Sequence, residues 1–256
     1  MSTLNLVLRR FVVGPPARVL FPAHVVGREN LPKDGPFIIA AGPHRSELES
    51  ALLACNLSEY ELHFFAKAEY WEGSRLHRWF MDGTGMIPID RHDSRAALRQ
   101  IQRGAEVLSE GGVIAMYPEG TRGGDDFVHK GHTGAVRTAL QASKLTPGGN
   151  VPIVPIGMIG MRELNPPGDK FKLRPGRCTV VIGEPIYPLH RDQGQPQWWP
   201  KELAMNMVEG DSMFKRPATS VHARLLTNYL MKEIARLSTA HYLDEYLKIG
   251  AAGQEG

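Results

Sequence analysis

A chain of 256 residues, 42% hydrophobic and 22% charged, carries enough apolar material for one domain with additions, which excludes wholesale disorder. Lys and Arg number 30 against 27 Asp and Glu, so the net charge of +3 excludes a general nucleic-acid footprint and leaves room for a local basic patch. Two cysteines, Cys55 and Cys178, form no CxxC pair, which speaks against a disulfide scaffold or a cysteine zinc site and fits a reducing compartment.

The first apolar stretch, 4–13, contains Arg9 and Arg10 and stops at Pro15-Pro16. A spanning helix takes about 20 mostly apolar residues, so this is not one. Its internal charges and the lack of a small-residue cleavage site do not suit a secretory signal. Two readings stay open: an amphipathic segment lying on an anionic membrane surface, and a helix packed on its own core. No other stretch reaches spanning length, so any membrane contact is expected to be peripheral.

Downstream, 23–27 and 36–41 read as short buried strands between Gly and Pro, and 48–57 reads as a helix. Strands are expected at 62–66, 86–89, 112–116, 151–156 and 178–182, with helices at 74–81, 94–108 and 133–143. This alternation predicts an α/β layered domain. A polar run at 190–200 reads as a linker or surface loop. Val221, Leu225, Tyr229, Leu230, Ile234 and Leu237 then mark an amphipathic helix, and a short helix is expected over 242–247. The spans predict an N-terminal amphipathic segment at 1–22, a main domain at 23–190, and a helical C-terminal extension at 191–256 packed on the same domain.

Four stretches carry chemistry. In Gly42-Pro-His-Arg-Ser-Glu-Leu-Glu49 a histidine stands between a buried strand and a helix, where α/β folds gather their sites. A neutral His44 takes a proton from a hydroxyl if an acceptor holds its other nitrogen, and Glu49 is placed to do so. The same letters, Ser46-x-x-Glu49, also spell a capping box, in which Glu49 merely reaches back to the helix start. Tyr117-Pro-Glu-Gly-Thr-Arg-Gly123 is a Gly-rich loop after a strand. Its backbone N–H groups and Arg122 suit a phosphate, and Glu119 suits a substrate hydroxyl; the bland alternative is a polar turn. Gly85-Met-Ile-Pro-Ile-Asp-Arg91 offers a second arginine, or a surface turn. In Val151-Pro-Ile-Val-Pro-Ile-Gly157, two prolines suggest an edge strand or a wall beside a ligand. His129 and His132 lack a carboxylate or thiolate at matching spacing and read as a loop pair rather than a metal site.

Taken in order, His44-x4-Glu49, Gly85…Arg91, Tyr117…Arg122 and Val151-Pro-Ile-Val-Pro155 resemble the glycerolipid acyltransferases of the PlsC type, the 1-acylglycerol-3-phosphate acyltransferases. Gly27-Arg-Glu-Asn-Leu-Pro32, Lys130-Gly131 and Ile182-Gly-Glu-Pro-Ile186 fit as flanks, so the likeness covers about 24–187. The tail, with Tyr229-Leu-Met-Lys-Glu-Ile and Tyr242-Leu-Asp-Glu-Tyr, looks like that of small actinobacterial members.

The resemblance implies a mixed sheet flanked by helices. It implies His44 as general base with Glu49 as its orienter, and a substrate site drawn from Arg91, Glu119, Gly120, Thr121, Arg122, Lys67 and Lys130. It implies no metal and no cofactor, with acyl-CoA or acyl carrier protein as co-substrate, a lysophospholipid acceptor, and no nucleic acid. The place implied is the cytoplasmic face of the cell membrane, held peripherally, in phospholipid biosynthesis. One departure stands out: the family usually has Asp where this chain has Glu49, one methylene longer, so the carboxylate meets His44 only from a shifted backbone or rotamer. An acyl-thioesterase and a catalytically weak lipid-binding protein are the competing expectations.

Overall fold

The computed structural model describes residues 7, 11–12, 14–89, 96–146, 149–166, 173–189 and 220–247. In chain order the elements are α1 (Gly14–Leu20), β1 (Ala23–Val26), β2 (Phe37–Gly42), α2 (Leu48–Asn56), β3 (Leu62–Lys67), α3 (Arg75–Gly83), β4 (Ile87–Ile89), α4 (Ala96–Ser109) and β5 (Val113–Met116). They continue with β6 (Phe127–His129), α5 (Gly134–Leu145), β7 (Ile153–Ile159), α6 (Met161–Leu164), β8 (Cys178–Ile182), α7 (Ser220–Leu237) and β9 (His241–Leu243).

Strand β2, Phe-Ile-Ile-Ala-Ala-Gly, is buried along its whole length, as a strand covered on both faces must be. Its side chains alternate between two cores. Ile38 and Ala40 join one cluster; Phe37, Ile39 and Ala41 join the other. β2 sits in the middle of a seven-stranded sheet of order β1-β8-β7-β2-β5-β3-β4. The pairs are parallel except β7–β8, so the sheet is mixed. The carboxyl ends of β2, β3 and β5 therefore open on one edge.

Helix α7 covers the β2–β7 part of the sheet with Leu226, Leu230, Met231, Ile234 and Ala235, all in the first core. Its end approaches β7 so closely that a Cβ on Gly157 would lie 2.3 Å from the Leu237 carbonyl carbon. Only glycine admits that contact. The helix then stops in a Schellman motif: the Ala240 N–H donates to the Ala235 carbonyl at 3.0 Å and the Thr239 N–H to the Arg236 carbonyl at 3.3 Å. Thr239 takes the left-handed position at φ 55° that glycine usually fills.

Two expectations need correction. Residues 242–247 are not helical: the Schellman turn reverses the chain, and β9 pairs in parallel with β6, Val128 opposite Tyr242. β6 itself, three residues in a Gly- and Asp-rich stretch, has no sequence pattern long enough to show. The stretch 153–159 is not an edge strand but lies inside the sheet, between β8 and β2. Pro155 is tolerated because its nitrogen faces the β8 side opposite Gly183, just past the end of β8, where only its carbonyl is used, by the Gly183 N–H at 2.9 Å. Pro15 and Pro16 lie in the first turn of α1, where the N–H groups have no intrahelical partner in any case. The amphipathic reading of 4–13 falls largely outside the described residues, as does the 190–200 loop. Among the described residues, no helix is long and apolar enough to cross a membrane.

Candidate active site

β2 ends at Gly42, and the chain turns through Pro43 into His44 before α2 begins at Leu48. Within this turn His44 Nδ1 lies 2.7 Å from Glu49 Oε2. The Glu49 side chain is fully buried, and its carboxylate also accepts the Arg45 N–H at 2.9 Å and the Ser46 N–H at 3.2 Å. The two sequence readings of this stretch therefore hold together. Glu49 reaches back to the helix start as in a capping box, and with the same carboxylate it holds the histidine. Ser46 Oγ accepts the Leu48 N–H at 3.3 Å, which completes the cap. The longer side chain reaches His44 because the turn curls its donors toward α2.

With Nδ1–H given to Glu49, the His44 Nε2 keeps its lone pair and bonds nothing among the described residues. The ring is mostly covered, 17% exposed, and stacks on Tyr117 with centroids 3.8 Å apart and planes 12° from parallel. Tyr117 bonds Ser50 Oγ through its hydroxyl at 3.0 Å. Burial, then the nearby Glu49 charge, pushes its phenol well above the usual value, so it remains neutral. Sequence reasoning gave Tyr117 no role. Its position directly before the Pro-Glu-Gly-Thr-Arg run was the one signal present.

The loop after β5 closes over the same edge. Glu119 is buried; its Oε2 accepts the His44 N–H at 2.7 Å and its Oε1 accepts the His129 N–H at 2.8 Å. Burial pushes this carboxyl up, and the two backbone donors, His129 foremost, pull it partly back. One oxygen thus ties the loop to the histidine turn and the other ties it to β6. The Gly123 N–H donates to the His44 carbonyl at 2.8 Å, tying the far end of the loop to the same turn. Between these ties Gly120 adopts φ +74°, with the His132 ring so near that a Cβ would lie 2.8 Å from it.

Arg122 is ion-paired with Glu47, three residues from His44, and is one-third exposed. Thr121 is half-buried beside it. Lys130 is anchored elsewhere: Nζ lies 3.1 Å from Asp244, beyond β9. Lys67 ends β3 on the same sheet edge and is exposed. Arg91 lies outside the described residues. The fold thus brings His44, Glu49, Glu119, Gly120, Thr121 and Arg122 together and leaves Lys67 and Lys130 at the margins. His129 turns its ring to Asp125, 2.8 Å away, whereas His132 stacks on Tyr246, so the two rings take different partners.

The family model for Acyltransferase matches residues 22–159. That span holds the histidine turn and the loop after β5. The chain belongs to the Acyltransferase family. A 1-acyl-sn-glycerol-3-phosphate acyltransferase of Chlamydomonas reinhardtii is 30% identical over 164 residues, 64% of this chain and 46% of that protein. One of Bacillus subtilis (strain 168) is 28% identical over 163 residues, 64% of this chain and 73% of that protein. The match thus spans less than half of the algal relative. The crystal structure of the 1-acyl-sn-glycerophosphate (LPA) acyltransferase PlsC from Thermotoga maritima shares the fold, with a TM-score of 0.61 at 22% identity over 92% of this chain and 83% of that one.

Proposed function

We propose that this acyltransferase-family protein moves a fatty acyl group from a thioester to the free hydroxyl of lysophosphatidic acid, giving phosphatidic acid. One observation carries the reading: His44 is held through Nδ1 by a buried carboxylate and keeps Nε2 open at the strand edge. The names of the Chlamydomonas and Bacillus relatives support the substrate class.

In the reaction Nε2 takes the hydroxyl proton as the oxygen attacks the thioester carbonyl carbon. The tetrahedral intermediate collapses by breaking the carbon–sulfur bond, and the departing sulfur receives the proton back from His44. Glu49 stabilises the imidazolium formed between the two steps. Backbone N–H groups of the 119–121 loop or of the helix start stabilise the oxyanion. The leaving thiol has a pKa of about 8.5 by the free-cysteine reference, so it needs little acid help. Arg122, with Arg91, takes the acceptor phosphate as a bidentate donor; Lys67 and Lys130 add long-range attraction. Glu119 positions the loop, its two oxygens accepting the His44 and His129 N–H groups. The donor is acyl-CoA or acyl carrier protein, and no metal or cofactor is needed. The protein works at the cytoplasmic membrane face, held there peripherally.

Product analysis tests this. Wild-type protein given palmitoyl-CoA and lysophosphatidic acid should form phosphatidic acid, and Arg122→Gln should raise the KM for lysophosphatidic acid far more than that for palmitoyl-CoA. Free palmitate as the sole product would instead establish a thioesterase.

A further inference from the structure

The loop that carries Arg122 is braced from its far side by residues beyond the family match. Tyr246, 46% exposed, follows β9 and stacks on His132 with centroids 5.0 Å apart and planes 23° from parallel. Its hydroxyl accepts from Arg224 Nη2 at 2.8 Å, and the same guanidinium donates through Nη1 to the Gly131 carbonyl at 2.7 Å. Lys130 Nζ lies 5.5 Å and Arg224 Cζ 5.7 Å from the Tyr246 ring centre, both within cation–π range. The Lys130 N–H donates to the Glu245 carbonyl at 3.0 Å.

His132 transmits this grip. Its N–H donates to the Pro118 carbonyl at 2.7 Å, and its ring lies directly against Gly120, leaving no room for a Cβ there. Gly120 stands between Glu119, which holds the His44 backbone, and Arg122. A single aromatic ring in the C-terminal extension thus closes a chain of contacts from α7 through His132 to the loop beside the dyad.

We infer that Tyr246 and Arg224 form a latch that positions the 119–123 loop for the acceptor, which makes the C-terminal extension part of the substrate-recognition machinery. This rests on the acyl-transfer reading above. Tyr246 and Arg224 are positioning residues: they act through His132 and Gly120 and touch no reacting atom. The latch predicts an asymmetry between the substrates. Loosening the loop weakens the grip on the acceptor phosphate and leaves donor binding alone.

The experiment compares full-length wild type with Tyr246→Ala, Tyr246→Phe and Arg224→Lys. Two readouts are taken: the KM values for lysophosphatidic acid and palmitoyl-CoA, and amide hydrogen exchange over 117–123 in the free protein. Tyr246→Ala should raise the acceptor KM about tenfold, as expected from losing one stacked ring and two cation contacts, with the donor KM unmoved. Exchange at Gly120 and Gly123 should quicken in parallel. Tyr246→Phe keeps the ring and should stay within about threefold of wild type; Arg224→Lys should fall between the two. Either readout remaining at the wild-type value in Tyr246→Ala overturns the latch. A wild type that forms no phosphatidic acid overturns the activity reading instead, and the exchange readout then decides alone whether the ring braces the loop.

Discussion

Replacing Glu49 by Gln changes one atom at the dyad and tests its electrostatic logic. The carboxylate has three donors: His44 Nδ1 at 2.7 Å from Oε2, the Ser46 N–H at 3.2 Å from Oε1, and the Arg45 N–H shared between Oε1 at 2.9 Å and Oε2 at 3.0 Å. A glutamine has one accepting oxygen. Two backbone donors face it on one side, so the amide NH2 is left facing His44. The ring must then accept at Nδ1 and carry its proton on Nε2, which removes the base from the reaction centre. The corresponding carboxylate-to-amide change in a Ser-His-Asp triad costs about 10^4 in kcat. Here the expected loss is about 10^3- to 10^4-fold, equivalent to roughly 4–5.5 kcal/mol of transition-state stabilisation. Stability should fall by about 1.5–3 kcal/mol, the worth of one charge-assisted bond. Steady-state kinetics with palmitoyl-CoA and lysophosphatidic acid give the first number, denaturant unfolding the second, and imidazole nitrogen shifts report the tautomer. A Glu49→Gln protein whose kcat stays within threefold of wild type, with its ring flipped to the other tautomer, would refute the reasoning.

Other outcomes follow from neighbouring contacts. Glu49→Asp withdraws the carboxylate by about 1.5 Å, one C–C bond, and stretches the His44 contact beyond hydrogen-bond range; kcat should drop, and a rise would show that the turn relaxes. Tyr117→Phe keeps the plate under His44 and should cost less than about threefold, because only the bond to Ser50 goes, whereas Tyr117→Ala should lower both kcat and melting temperature. Gly157→Ala drives a methyl to 2.3 Å from the Leu237 backbone and should destabilise by about 2 kcal/mol or more, seen as a lower melting temperature. Glu119, raised by burial, binds its proton more tightly in the folded than in the unfolded chain. Its contribution is greatest below the ordinary carboxylate value and is lost as pH rises through the raised one. Stability measured against pH should show this downward slope in wild type, and Glu119→Gln should lack it.

The His44–Glu49 pair was legible because both members lie within six residues of one another and the same carboxylate holds the helix start and the ring. The sheet was legible for the reason that β2 and β7 are buried on both faces and read as unbroken apolar runs. What stayed hidden depends on partners distant in sequence. β6 exists only because β9 pairs with it, His129 opposite Leu243. Its partner strand begins after a helix stop that uses Thr239 in place of glycine, so the usual signal is missing. Pro155 suggested an edge, and only the shortness of β8 explains its place inside. The ring of Tyr117 beneath His44 and that of Tyr246 behind Gly120 are tertiary facts; Tyr117 is marked only by its place before the Pro-Glu-Gly-Thr-Arg run, and Tyr246 by nothing in the pattern around it.

The most direct measurement is thiol release from palmitoyl-CoA, with and without lysophosphatidic acid, on wild type beside His44→Ala. The account predicts release that depends on the acceptor in wild type and vanishes in a folded His44→Ala protein. Acceptor-dependent release that survives the loss of His44 would contradict it.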